Sequence, residues 1–216
     1  MAAEERAPEL DDPATRIADQ AELRAHIGVL HPLAERKVIN RLDGFCRDFI
    51  ALSPFLVLAS ADGAGRADAS PRGDAPGFVQ VLDDRTLLIP DRRGNNRVDS
   101  YGNILSSPGV GLIFMVPGIA ETLRVNGRAR LTRDADLLQP STVQERMPTL
   151  GLVVEVEEAF FHCGKALIRS KLWDPASQVE RSSFPTLGRI VAEQTKGISV
   201  AEAEANLAEA YRSRLY

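Results

Sequence analysis

The 216-residue chain is expected to fold as a mainly β protein with helices (α+β), built on a small antiparallel β-barrel of six or seven strands. Three observations point there. Short apolar runs with branched side chains recur between Phe55 and Glu157. Gly, Pro, Asn and Asp turn signals separate them at close spacing, and helical patterning lies mostly outside this stretch.

Taken in order, the first twenty or so residues are rich in Ala, Glu, Asp and Pro. They read as an N-terminal arm over 1–24, ahead of a single domain over 25–216 that ends in a helical extension. Residues 34 to 51 carry the apolar set Ile39, Leu42, Phe45, Cys46, Phe49 and Ile50. That spacing predicts one amphipathic helix, stopped by Ser53-Pro54 because the residue before a proline avoids helical geometry. Phe55 to Ser60 is the first buried strand, and Asp62-Gly63-Ala64-Gly65 turns the chain back along Arg66 to Ser70. Gly77 to Leu82 and Thr86 to Pro90 make a second hairpin around Asp83-Asp84.

A short helix is expected from Val98 to Leu105, then a strand pair, Val110 to Val116 and Thr122 to Leu131, around Pro117-Gly118. Gly151 to Glu157 supplies a late strand rich in valine. Ala159 to Trp173 reads as helical. Ser199-Val200-Ala201-Glu202 is a capping box that opens a last helix through about Arg212.

The formal net charge of −4 argues against a nucleic-acid binder, which would carry a broad basic excess. No apolar run approaches the roughly 20 residues that span a bilayer, and the N-terminal residues lack the pattern of a signal peptide. No membrane association and a cytoplasmic location are therefore expected. Cys46 and Cys163 are far apart and match no metal-ligand spacing. Neither a metal site nor a structural disulfide is expected, and Cys46 is read as a small hydrophobe in a helix core.

The most chemically loaded stretch is Asp91-Arg92-Arg93-Gly94-Asn95-Asn96-Arg97, directly after the strand-like Leu87-Leu88-Ile89-Pro90. Guanidinium groups give planar, multidentate donors to phosphate oxygens, and Gly94 offers positive φ or close backbone approach. Ser70-Pro71-Arg72-Gly73 adds a second basic element. The plain alternative is a solvated polar turn.

The order of blocks, Ser70 to Asp74, Leu87 to Arg92, Glu121 to Leu131 and Phe160 to Pro175, resembles the pyridoxamine 5'-phosphate oxidase-related FMN-binding split barrels, in particular a bacterial FMN-binding branch. That resemblance covers roughly residues 25 to 180. It implies a homodimer with FMN at the interface, the phosphate held by Arg72, Asn96 and Arg97, with Arg92 or Asn95 as a further donor and Ser70 among the cofactor-binding residues. It places Ile89, Pro90 and Asp91 beside the flavin ring, with backbone amides toward the pyrimidine edge. Thr122 matches a position that reaches the flavin from the other subunit. Where relatives often carry Ser-Arg-Lys in the loop, this chain has Asn-Asn-Arg.

If residues 159–173 are helical, His162, Lys165 and Arg169 share a face that Trp173 continues. Such a face is commonly just solvated. The functional alternative brings Lys165 and Trp173 to the flavin or a substrate and makes His162 and Lys165 the catalytic candidates. The resulting expectation is an FMN-dependent oxidoreductase that moves electrons between the flavin and a small organic substrate other than vitamin B6, because the true oxidases' Arg-x-His and closing Arg-Leu-x-Pro motifs are missing. The rivals are a non-catalytic flavin or haem module, an F420-dependent enzyme, and an interaction domain whose arginines bind an acidic partner.

Overall fold

A computed structural model describes residues 15–216; the arm expected over 1–24 lies outside the described residues up to position 14. The chain divides into two compact units with the boundary after Lys37. In the first unit, α1 (Gln20–Ile27) starts where the Asp19 carboxylate accepts the Glu22 N–H at 2.8 Å. It stops at Gly28, whose φ of 91° suits a residue without Cβ. Pro32 opens the short α2 (Pro32–Arg36), a position where its missing N–H costs no helical bond.

The second unit begins by breaking the single helix expected over residues 34 to 51. Ile39 exchanges two backbone hydrogen bonds with Ala159, at 3.0 and 2.7 Å, in an isolated antiparallel bridge that takes it out of helical geometry. The helix restarts as α3 (Gly44–Leu52), because the Asp43 carboxylate accepts the Cys46 N–H at 2.9 Å and caps the new N-terminus. Leu42, Cys46, Phe49 and Ile50 are buried as their spacing requires, whereas Phe45 is 76% exposed on the opposite face.

Seven strands follow in one antiparallel sheet: β1 (Phe55–Ala61), β2 (Ala67–Gly73), β3 (Gln80–Val81), β4 (Thr86–Pro90), β5 (Gly109–Met115), β6 (Thr122–Thr132) and β7 (Gly151–His162). Their order is β2-β1-β5-β6-β7-β4-β3, with all pairs antiparallel. This is the mainly β architecture with flanking helices that the turn spacing predicts. Alternate residues of the strands form the core: Leu56 and Leu58, Leu87 and Ile89, Leu112 and Phe114, Leu123 and Val125, Leu152 and Val154, each 2% exposed or less. Each such side chain contributes roughly 1.5–3 kcal/mol by leaving water. α3 closes this core from one side, with the Phe49 ring edge-on to Phe161 at 5.4 Å.

β7 is longer than the valine run suggests. It stays paired with β6 through Phe161 and ends with His162 opposite Thr122. The ladder survives this length because a bulge at Asn126/Gly127 absorbs one residue. A Cβ at Gly127 would overlap the Glu155 carbonyl oxygen. The helix expected over 159–173 is therefore reduced to α6 (Lys165–Ser170), and the helical face that would align His162 with Lys165 and Arg169 does not form. Backbone pairing with β6 overrides local helical patterning here.

The helix predicted after the basic loop is present as α4 (Asp99–Ser106), and α5 (Ala135–Leu138) forms a small satellite cluster with Leu88 and Val153. At the C-terminal end, α7 (Leu187–Thr195), which the sequence reading did not anticipate, lies against α8 (Val200–Ser213). The two approach so closely that a Cβ on Gly188 would fall 2.9 Å from the Glu204 nitrogen. The Ser199 hydroxyl accepts the Glu202 N–H at 3.2 Å, as the capping-box reading requires.

Candidate functional site

The edge strand β2 carries the first wall of the site. Pro71 is tolerated there because an edge strand leaves one row of backbone groups unpaired. The strand's period of two turns Asp68, Ser70 and Arg72 to the same, half-buried face. Opposite them, the chain leaves β4 at Pro90, runs through the basic loop and enters α4. Together these segments enclose a cleft of about 630 Å³ lined by Asp68 to Gly73, Phe78 and Pro90 to Tyr101. That volume falls in the roughly 300–1,000 Å³ range of small-molecule and cofactor sites.

Arg72 is held on one edge of the cleft. Its Nη1 donates to the Tyr101 hydroxyl at 3.1 Å and lies 3.5 Å from Asp91 Oδ1, and its guanidinium sits 5.0 Å from the centre of the Tyr101 ring. The Tyr101 hydroxyl in turn donates to Asp91. Burial, partly offset by the Arg72 charge and reinforced by the Asp91 carboxylate, pushes the Tyr101 phenol well above its ordinary range. Among the described residues, Arg72 Nε is buried with no hydrogen-bond partner.

The entry to α4 is a second anion-favouring feature. Its N-cap residue is Val98, in the left-handed conformation with φ of 51°, and no side chain among the described residues caps the helix. A β-branched residue there is strained, and the uncapped first turn presents N–H groups and the positive end of the helix dipole. Asn96 is also left-handed, with φ of 58°. Gly94, expected to supply the special backbone geometry, is not among the residues with positive φ, and a Cβ there would meet nothing within 4 Å. The turn is made by Asn96 and Val98 instead.

The remaining loop residues divide into fixed and open groups. Arg92 Nε donates to Asp74 Oδ2 at 2.5 Å and Nη1 to the Ser141 carbonyl at 2.9 Å. Arg97 donates to Asp99 at the surface, with its side chain 77% exposed, and its N–H bonds Asn95 Oδ1 at 3.1 Å. Arg93 forms no ion pair among the described residues. The Ser100 hydroxyl donates to Asp68 Oδ2 at 2.7 Å, tying the first turn of α4 to β2.

Of the residues singled out from sequence, Ser70, Arg72, Pro90, Asp91, Arg92, Asn95, Asn96 and Arg97 all line the cleft. Ile89 is 2% exposed and belongs to the core. Backbone donors to a ring edge are scarce at this strand end: Pro90 has no N–H, and the Asp91 N–H is held by the Leu150 carbonyl at 2.9 Å. Thr122, His162, Lys165 and Trp173 are not among the lining residues. They gather elsewhere, where the Trp173 indole donates to the Ile119 carbonyl at 2.8 Å and Gly164 packs on Ala120. Tyr101, missed from sequence, could have been found from its place one turn into the helix that follows the basic loop.

The family profile for pyridoxamine 5'-phosphate oxidase matches residues 42–163, more than half of the chain. The chain belongs to the pyridoxamine 5'-phosphate oxidase family. The matched stretch of this family member contains every residue lining the cleft, together with Thr122 and His162, and stops before Lys165 and Trp173.

Similar solved structures include HupZ of Group A Streptococcus, at 16% identity and a TM-score of 0.43, covering 53% of this chain and 89% of that one. An FMN-binding protein from Syntrophomonas wolfei aligns at 12% identity and a TM-score of 0.42, covering 53% and 82%. HutZ of Vibrio cholerae, a haem storage protein, aligns at 16% identity and 0.39, covering 57% and 94%. A search of curated proteins found no match to this chain. Among the described residues, no helix is long and apolar enough to cross a membrane.

Proposed function

We propose that this pyridoxamine 5'-phosphate oxidase family member binds FMN, with the phosphate in the cleft between β2, the basic loop and the N-terminus of α4. The observation that carries this reading is the pairing of the Arg72 guanidinium with an uncapped helix N-terminus on the same cleft. Both features lower the free energy of a bound dianion, one by charge-assisted hydrogen bonds and the other by the helix dipole. Arg72 is held ready by Tyr101 and Asp91, so little ordering is required when the anion arrives. Arg93 and the loop amides of Asn95 and Asn96 supply further donors at the open side.

Bound FMN would supply the electron-transfer chemistry, in keeping with an oxidoreductase acting on a small organic substrate. In this proposal the functional unit is a homodimer. Thr122, paired with His162, is buried in its own chain, whereas His162, Lys165 and Trp173 lie away from their own chain's cleft and would approach that of a second copy. There the exposed His162 and Lys165 side chains would be placed for proton transfer or substrate binding.

The test is an absorbance and size-exclusion experiment on purified protein with and without FMN, repeated with Arg72→Ala. Flavin bands carried by a dimer and weakened in the variant support the proposal. Uptake of haem or F420 in place of FMN, or no uptake at all, would overturn the cofactor. FMN that binds but takes no electrons from NADH or NADPH would leave a binding module in place of an enzyme.

A further inference from the structure

Arg92 joins the cleft to segments far away in sequence. Asp74, just past β2, has a side chain only 3% exposed. Its Oδ1 accepts from the Ala75 N–H and from the Tyr216 hydroxyl, each at 2.7 Å, while Oδ2 accepts from Arg92 Nε at 2.5 Å. The Arg92 guanidinium lies 5.7 Å from the centre of the Tyr216 ring and is bonded on another edge to the Ser141 carbonyl. Tyr216 is itself held by Arg146, whose Nη1 donates to its backbone oxygen.

We infer that Tyr216 is a positioning residue for the anion-binding cleft: its hydroxyl orients Asp74, its ring backs the guanidinium, and together they fix Arg92 in the cleft wall. This rests on the reading of the cleft as a phosphate site.

The physical basis is preorganisation. An arginine side chain loses considerable rotamer freedom when it is fixed, and this lattice of contacts imposes that loss before any ligand binds. With Nε and Nη1 engaged, the guanidinium plane is set and its remaining donors keep one direction. Arg92 is also the second residue of the basic loop, so fixing it fixes the start of a segment whose other bonds, at Asn95 and Arg97, are local and exposed. Removing the Tyr216 hydroxyl leaves Asp74 Oδ1 with the Ala75 N–H, and removing the ring frees one face of Arg92.

The experiment compares wild type, Tyr216→Phe, Tyr216→Ala and the control Tyr211→Ala, whose side chain is on the exposed surface of α8. Each is titrated with FMN and with riboflavin, which lacks the phosphate, and amide exchange is followed across residues 92–97 without ligand. Tyr216→Ala is expected to weaken FMN binding about tenfold, the effect of one hydrogen bond to a charged group. Riboflavin binding should stay unchanged and loop exchange should quicken. Tyr216→Phe, which keeps the ring, should fall between wild type and Tyr216→Ala. Unchanged FMN binding, or equal loss of both flavins, overturns the role of Tyr216 while leaving the cofactor reading intact. Wild-type protein that takes up neither flavin overturns the cofactor reading. In that case Tyr216 is judged by exchange alone, and unaltered exchange at residues 92–97 removes its role too.

Discussion

Arg72 and Tyr101 meet twice: the guanidinium lies 5.0 Å from the ring centre, and Nη1 donates to the phenol oxygen at 3.1 Å. The pair joins the edge strand to α4 across the cleft. Tyr101→Phe keeps the ring and removes the oxygen shared with Asp91, so stability should fall by about 1.5–3 kcal/mol, the range for a hydrogen bond to a charged group. Urea unfolding measures this, and a variant as stable as wild type would show that the hydroxyl contributes nothing.

Arg72→Ala should weaken ligand binding and also lower stability, because the Tyr101 hydrogen bond, the Asp91 contact and the ring contact are lost together. Losing a fixed guanidinium next to a phosphate removes charge-assisted bonds worth about 1.5–3 kcal/mol each, so FMN affinity should fall by roughly tenfold to a hundredfold. Arg72→Lys should recover only part of this, because an ammonium lacks the planar fork and the stacking surface. Flavin fluorescence titration separates the two variants.

Acid sensitivity should trace in part to Asp74. Burial raises its pKa, but hydrogen bonds from Tyr216, the Ala75 N–H and Arg92, with the Arg92 charge, outweigh it and hold the carboxyl below its ordinary value of 3.8. A group depressed on folding contributes stability above its unfolded pKa and loses it as pH falls through the folded one. Asp74→Asn should therefore flatten the loss of stability on the acid side, as seen by chemical unfolding across that pH range. An unaltered acid limb would show that Asp74 does not govern it.

Two glycines make opposite predictions. Gly127→Ala must push a Cβ into the Glu155 carbonyl at the bulge, so it should destabilise the fold by more than about 3 kcal/mol. Gly94→Ala meets open space without positive φ, and it should change stability by less than about 1 kcal/mol, with stabilisation the favoured sign. Thermal melts of the two variants side by side decide both.

The cysteines should also differ sharply. Cys46 is 1% exposed, and burial together with the adjacent Asp43 carboxylate raises its thiol to about 12. Cys163 is exposed. A thiol reagent at neutral pH should label Cys163 alone in folded protein and both residues after denaturation, as mass spectrometry would report. Rapid native labelling of Cys46 would contradict its placement.

The sequence by itself determined the sheet: apolar alternation, turn residues and the branched runs from Phe55 to Glu157 are local signals, and seven strands form where they predict them. It also determined the chemical character of the basic loop, since three arginines in seven residues are legible without coordinates. What only tertiary structure decided were the features that depend on distant partners. Ile39 pairs with Ala159 and breaks an otherwise helical run, while Thr122 opposite His162 holds β7 extended past the point where local patterning reads as helix. The same dependence sorted the arginines. Arg72 lines the cleft with Nη1 on the Tyr101 hydroxyl, and Arg92 is engaged by Asp74, Ser141 and Tyr216. Side-chain type follows from sequence, whereas the direction and occupancy of a donor follow from long-range packing, because the atoms that fix it lie as far away as residue 216.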